Sequence, residues 1–205
     1  MASTPTLFAE IRQPSTNYLA FPTVSSENRN YIPIAYLNPE IIASNQLYTI
    51  PNTTMYDFGI LTSVMHMTWM RYVAGRLKSD YRYSSSVVYN NFPWPKDSSD
   101  KNQKKVEEKA QKILNIRAEF PESSLSDLYH PLTMPPILAR AHNELDKAVD
   151  LCYRPQAFIN ETARIEFLFD LYNQYTKLLP NLSQTLPVVP LPMKGSNINS
   201  NSLDV

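Results

Sequence analysis

Glycine is scarce in this chain and never clustered: Gly59, Gly75 and Gly195 are its only three glycines in 205 residues. A loop that cradles a phosphate or a nucleotide cofactor needs neighbouring glycines, so that backbone amides reach the ligand without a Cβ in the way. No such loop can be built here, and active sites organised around one are excluded. Any function must instead be carried by side chains set on regular elements.

The length has room for one or two small domains, and an apolar fraction of 43% supports a packed core. The 19 basic and 19 acidic residues balance, so a nucleic-acid surface can only be a local patch. The single cysteine, Cys152, rules out an internal disulfide and fits a reducing compartment. No apolar run approaches the roughly 18 residues needed to cross a membrane. The start, MASTPTLFAEIRQP, lacks the basic-then-apolar plan of a secretory signal. The expectation is a soluble, cytoplasmic protein without membrane partners.

Along the chain, the hydrophobic period changes twice. YLAFP (18–22) and YIPIAYL (31–37) flank the polar TVSSENRN and predict a hairpin, with Pro33 at an edge because it cannot donate to a ladder. NQLYTI (45–50) predicts a third strand. From Thr54, which has capping-box spacing to Asp57, the stripe Leu61, Met65, Trp69, Val73 and Leu77 predicts one helix, fraying near Gly75. Residues 75–95 read as loop and short strand. Ser98, Ser99 and Asp100 offer caps for a charged helix with the apolar line Val106, Ala110, Ile113 and Leu114, stopped by Pro121. A second helix opens at Thr133 with Pro135 and Pro136 in its first turn, and carries Leu138, Ala141, Leu145, Ala148 and Cys152. A third runs from Asn160 to Pro180 and buries Ile165, Leu168, Phe169, Tyr172 and Tyr175. The Pro-, Asn- and Ser-rich tail predicts disorder. The expected class is α+β: a small mixed α/β domain (1–95), an all-α three-helix domain (96–179) and a disordered tail (180–205).

Few residues suggest chemistry. His66, His130 and His142 lack metal-ligand spacing, and neither HExxH nor CxxC occurs, so no metal and no catalytic residue is assigned. Cys152 lies on a buried stripe. The alternating charges of 100–119 fit a solvated face. The segment from Trp69 to Trp94 differs, with Arg71, Arg76, Lys78 and Arg82 against only Asp80, interleaved with Trp69, Tyr72, Tyr81, Tyr83, Tyr89, Phe92 and Trp94. Cations neutralise phosphates, and Arg, Lys, Asn, Ser and Asp side chains read base edges. A tyrosine-rich strand packed on a helix, with its charges in water, explains the same composition.

Three stretches sharpen the choice. FAEIRQPSTNYLAFPTVSSENRNYIPIAYL, YDFGILTSVMHMTWMRYVAGRLKSDYRYSSSVVYNNFPWP and LSDLYHPLTMPPILARAHNELDKAVDLCY, spread over Phe8 to Thr176, resemble the C-terminal third of large bacterial DNA methyltransferases. These are the MmeI-like, type IIL class of restriction-modification proteins and their stand-alone relatives. The resemblance implies the later part of a target-recognition domain followed by a helical C-terminal domain. It implies a parent enzyme that moves a methyl group from S-adenosylmethionine to adenine N6, with no cofactor held by this chain. It also implies base-reading positions in the GRLKSDYRYS segment: Arg76, Lys78, Ser79, Asp80, Tyr81, Arg82 and Ser84. The implied partners are double-stranded DNA and a methyltransferase catalytic domain, on the same parent chain or on a separate subunit.

NNFPWP (90–95) comes within one residue of the Asp/Asn/Ser-Pro-Pro-aromatic tetrapeptide with which amino-methyltransferases hold a flipped base. That tetrapeptide works beside a glycine-rich turn, and nothing upstream of Asn90 provides one. In the resembling proteins NNFPWP closes the recognition domain, and the resemblance implies the same clasp here, with Phe92 and Trp94 buried. Two other functions are weighed: a protein-interaction piece that completes a separately encoded catalytic subunit, and a self-sufficient methyltransferase.

Overall fold

The computed structural model describes residues 13–177, so the tail expected to be disordered and Gly195 lie outside the described residues. The fold is α+β. The first sheet has the order β3-β1-β4, built from β1 (Tyr18–Pro22), β3 (Ala35–Leu37) and β4 (Leu47–Pro51), all antiparallel. The expected hairpin forms, but only its last three residues pair, from Tyr18 opposite Leu37 to Ala20 opposite Ala35. Pro33 is not at a sheet edge. It lies in a buried irregular segment, where the Ile34 amide donates to the Ile32 carbonyl at 2.9 Å across it. Proline's fixed φ suits such a three-residue turn.

The polar stretch TVSSENRN also contains a strand. Val24–Ser25 forms β2, continues directly from β1, and joins a second sheet of order β2-β6-β5 with β5 (Gly75–Leu77) and β6 (Asp80–Arg82). One extended run of chain therefore serves two sheets, and fixes the second against the first.

The single helix expected after Thr54 is two: α1 (Met55–Leu61) and α2 (Val64–Val73). The Thr54–Asp57 capping box is present, with the Asp57 amide 3.2 Å from Thr54 Oγ1 and the Thr54 amide 2.8 Å from Asp57 Oδ2. The break has two causes. Ser63 Oγ donates to the Ile60 carbonyl at 2.7 Å and competes with the helix backbone. The Val64 amide, an orphan at the start of α2, donates at 2.8 Å to the carboxylate of Asp146, 82 residues later. After Val73 the backbone enters β5, so Leu77 stands on an edge strand, half exposed, and not on a helix face.

The helical half contains α3 (Asp100–Ala118), α4 (Leu125–Leu128), α5 (Pro136–Tyr153) and α6 (Glu161–Lys177). Ser99 caps α3, and Val106, Ala110 and Ile113 are buried as their spacing predicts. The short α4, closed by a Ser124–Asp127 capping box, is an addition to the three expected helices; four residues carry no readable period. α5 begins at Pro136, because Pro135 with ψ 134 precedes the helix and does not sit inside it. α6 buries Ile165 and Leu168 but leaves Phe169 exposed, while Tyr172 and Tyr175 are half-buried.

The two halves share one core. α3 packs against α1 on one side and α5 on the other. Gly59 makes the first contact possible, since a Cβ there would lie 2.5 Å from Val106 Cγ1 and 3.3 Å from Ala110 Cβ. Glycine costs a helix interior about 1 kcal/mol relative to alanine, so Gly59→Ala should help an isolated helix. The expected result in the protein is the opposite, a loss of about 1–2 kcal/mol read from the denaturant midpoint, because overpacking costs about 1–3 kcal/mol. Val106 is β-branched and has one strongly preferred rotamer in a helix, so it cannot swing aside cheaply. A stabilised variant would show that the helices separate freely.

A polar seam crosses this core. Buried Arg117 donates to the Ile34 carbonyl at 2.7 Å and to the Tyr129 hydroxyl, which also meets His142 Nε2 at 2.6 Å. Tyr31 stacks on His142, with 4.1 Å between ring centroids, and its hydroxyl donates to Asp146 at 2.7 Å. Burial pushes the Asp146 carboxyl up to about 6, against the lowering effect of the Val64 amide and the Tyr31 hydroxyl. Burial also drives the His66 imidazole down to about 4 and His142 well below its ordinary value.

These groups act in opposite directions in acid. As pH falls below about 6.5, the unfolded chain protonates His66 and His142 and the folded chain does not, so stability is lost. As pH falls through 6, folded Asp146 takes up a proton that the unfolded chain does not yet bind, so stability is gained. Asp146→Asn keeps an acceptor for Val64 but removes the compensation. Between pH 6.5 and 4.5 it should lose about 2 kcal/mol more than the unmodified chain. Parallel stability–pH profiles from denaturant melts would reject this assignment.

Candidate nucleic-acid interface

The segment singled out by its cations and aromatics folds into a β-hairpin. β5 and β6 pair Gly75 with Arg82, Arg76 with Tyr81 and Leu77 with Asp80, leaving Lys78 and Ser79 as a two-residue turn. Lys78 has φ 56, the left-handed region that favours glycine. A side chain there costs about 1–2 kcal/mol, and the chain keeps a lysine at the tip in spite of it.

Strand alternation sorts the candidate residues. Tyr81 points inward, is 6% exposed, and lies opposite Ser25 of β2. Arg76, paired with it, reaches across its ring, with the guanidinium carbon 3.9 Å from the ring centroid. Arg76 Nη1 donates to the Ser79 carbonyl at 2.8 Å and approaches Glu27 Oε2 at 3.4 Å. Asp80 accepts from the Glu27 amide at 3.3 Å. Arg82 projects outward next to Val24, and Lys78 and Ser79 are exposed at the tip. Ser84 lies just outside the strands, where its hydroxyl is 3.0 Å from that of Ser86. Arg76, Lys78, Ser79, Asp80 and Arg82 are thus gathered on one small projection; Tyr81 is the platform beneath Arg76, and Ser84 stands at its base. Arg71, from the same basic run, is elsewhere and pairs with Glu161 on α6 at 2.6 Å.

Glu27 is the residue that sequence reasoning missed. It is 49 residues from Arg76 and sits in a polar loop, with no local signal to connect them. Only the β2–β6 ladder, from Val24–Arg82 and Ser25–Tyr81, brings its loop alongside the hairpin.

The hairpin is anchored from behind. Tyr83, 2% exposed, places its hydroxyl 3.0 Å from His66 Nε2, whose other nitrogen meets the Leu61 carbonyl at 2.8 Å. Residues Ser85–Tyr89 form one π-helical turn, and Trp69 Nε1 donates to the Val88 carbonyl at 3.0 Å. Asn91 spends its side-chain amide on the Ser86 and Val87 carbonyls, at 2.8 and 3.1 Å. Phe92 is buried edge-on between His66 and Trp94, with centroids 4.9 and 5.5 Å away, and Trp94 is half-buried. The Pro93 and Trp94 carbonyls accept from Tyr153 on α5 at 3.1 Å and Tyr175 on α6 at 2.8 Å. NNFPWP therefore ties the hairpin to the helical half, with Asn91 fixed by its amide nitrogen and Phe92 buried. Cys152 is also buried, as its helical stripe predicts.

Among the described residues, no three of His, Cys, Asp or Glu gather as metal ligands, and no helix is long and apolar enough to cross a membrane. What the hairpin can do is present three cations with hydroxyl and carboxylate neighbours on a narrow projection. A two-stranded ribbon of this kind is slim enough to enter the major groove of duplex DNA.

Residues 1–96 match the family model of the MmeI target recognition domain, and residues 98–180 match that of the MmeI C-terminal domain. DNA methyltransferase A of Bacillus subtilis (strain 168) is 43% identical over 178 residues, which are 86% of this chain and 20% of that protein. The chain therefore spans about a fifth of the length of the curated relative it matches. The solved type IIL restriction-modification enzyme MmeI in complex with DNA superposes with a TM-score of 0.79 at 49% identity, over 85% of this chain and 23% of that one.

Proposed function

We propose a function from one premise: this chain belongs to the MmeI family, as that family's target recognition domain followed by its C-terminal domain. It is the sequence-recognition portion of a bacterial S-adenosylmethionine-dependent DNA adenine-N6 methyltransferase of a restriction-modification system. Residues 1–95 choose the DNA site and residues 96–179 brace them. The observation that carries this reading is the β5–β6 hairpin, with Arg76, Lys78 and Arg82 projecting from a buried platform. That the MmeI structure is a DNA complex supports duplex DNA as the partner.

In this division of labour, Lys78 and Arg82 reach phosphates or guanine edges. Arg76 is held in a set orientation by Tyr81 and Ser79, and Asp80 and Ser79 accept or donate at neighbouring bases. Methyl transfer belongs to a catalytic domain carried elsewhere in the parent protein, where S-adenosylmethionine is held. The absence of clustered glycines in this sequence supports that placement. The test is duplex binding by this chain over a range of salt. Log affinity should fall linearly with log salt, at about 0.9 per phosphate neutralised. Affinity independent of salt would reject the reading.

A further inference from the structure

A cleft of about 580 Å³ opens where the recognition and helical halves meet. Its lining includes Asn30 from the loop after β2, Arg71 from α2, Asn143, Asp146 and Lys147 from α5, and Arg164 from α6. Ala139, Asn143 and Lys147 follow at intervals of four on α5, so an amide and an ammonium share one face with a small residue that leaves room beside them.

The groups free to act in the cleft are cations and side-chain amides, all able to donate. Lys147 is exposed and makes no ion pair among the described residues. Arg71 and Arg164 are each held by one carboxylate, Glu161 at 2.6 Å and Asp150 at 2.7 Å, and each keeps guanidinium donors to spare. The one acid on the wall, Asp146, is 7% exposed, and its two oxygens are taken by the Val64 amide and the Tyr31 hydroxyl. A concavity rich in cations and amides suits an anion with several acceptor oxygens.

Its position narrows the anion further. Asn30 is three residues from Glu27, which touches Arg76 of the hairpin. Three residues span at most about 11 Å, a fraction of the roughly 34 Å of one DNA helical turn. The rim of the cleft at Asn30 thus lies within the length of one helical turn from the hairpin, close enough for phosphates of a duplex seated there to reach it.

We propose that this cleft is a second contact to DNA, receiving a backbone phosphodiester of the duplex that the hairpin reads. Lys147 is its main cation, with Asn143 and Arg71 as further donors. The inference rests on the DNA-recognition reading and extends it, since it makes α5 of the helical half part of the DNA-binding surface. Phosphate contacts set register and carry no sequence information. The cleft therefore fixes how the duplex lies while the hairpin chooses the bases.

The experiment is fluorescence anisotropy of a short random-sequence duplex with the full chain over a salt series. Four proteins are compared: the unmodified chain, Lys147→Ala, Lys147→Arg and the alanine triple variant of Arg76, Lys78 and Arg82. Lys147 is exposed, so its replacement leaves the core intact. Lys147→Ala should lower the slope of log affinity against log salt by about 1, and Lys147→Arg should retain it. An unchanged slope in Lys147→Ala beside a reduced slope in the hairpin variant overturns the cleft contact alone. Absence of duplex binding by the unmodified chain removes the recognition reading, and this inference with it.

Discussion

Replacing Arg76, Lys78 and Arg82 together by alanine should weaken duplex binding about 100-fold near physiological salt and lower the salt slope by as much as three. Each cation that neutralises a phosphate releases about one counterion, which at that salt is worth roughly a factor of five. If any of the three instead reads a guanine edge, the loss at that position is about 1–3 kcal/mol and falls on the cognate sequence alone. The fold should be unaffected. The three side chains leave the outside of a hairpin whose strands are held by backbone bonds and by buried Tyr81. Of their own contacts, the 3.4 Å approach to Glu27 is exposed on both sides and is worth less than about 1 kcal/mol. Anisotropy titrations check affinity, and thermal melts check that the variant is folded. An unchanged salt slope in a folded variant removes the hairpin from the interface.

Arg117→Ala should be the most destabilising single replacement outside the aromatic core, at about 3–5 kcal/mol by denaturant unfolding. Arg117 is only 9% exposed, and no carboxylate pairs with its guanidinium among the described residues. Its charge is satisfied by the Ile34 carbonyl, the Tyr129 hydroxyl and the faces of Phe58 and Tyr129. Truncation leaves a buried carbonyl unpaired, a cavity between α1 and α3, and a hydroxyl whose remaining partner is His142. Lys109→Ala on the same helix is the control. Its pair with Glu144 at 2.7 Å is on the surface, and its loss should cost less than about 1 kcal/mol. Equal effects from the two variants would mean that the polar seam does not hold the halves together.

What could be read from the sequence followed from local rules. The Thr54–Asp57 cap, the Ser99 cap and the α3 line of Val106, Ala110 and Ile113 depend only on residues within a turn of one another, and they stand as expected. The burial of Cys152 was legible from helical period, and that of Phe92 from the family resemblance, which also expected Trp94 to be buried where it is only half-buried. What was hidden depends on distant partners. The break between α1 and α2 is stabilised by Asp146, 82 residues on, and no helical period encodes that. β2 is two residues long and pairs with a strand more than 50 residues away. The resemblance to a known family pointed to the hairpin as the base-reading segment. It could not show that Tyr81 turns inward beneath Arg76, nor that Glu27 stands beside it.

The shared core sets the order in which this chain can mature on the ribosome. α1 emerges before its partner face on α3 and before the carboxylate that starts α2, which lies at residue 146. At roughly 5–20 residues per second, the emerging recognition half waits several seconds with Phe58, Ile60 and Leu61 uncovered. Premature termination within α3 would leave that apolar face bare, and such nascent chains should be captured by chaperones or proteases before the fold is complete.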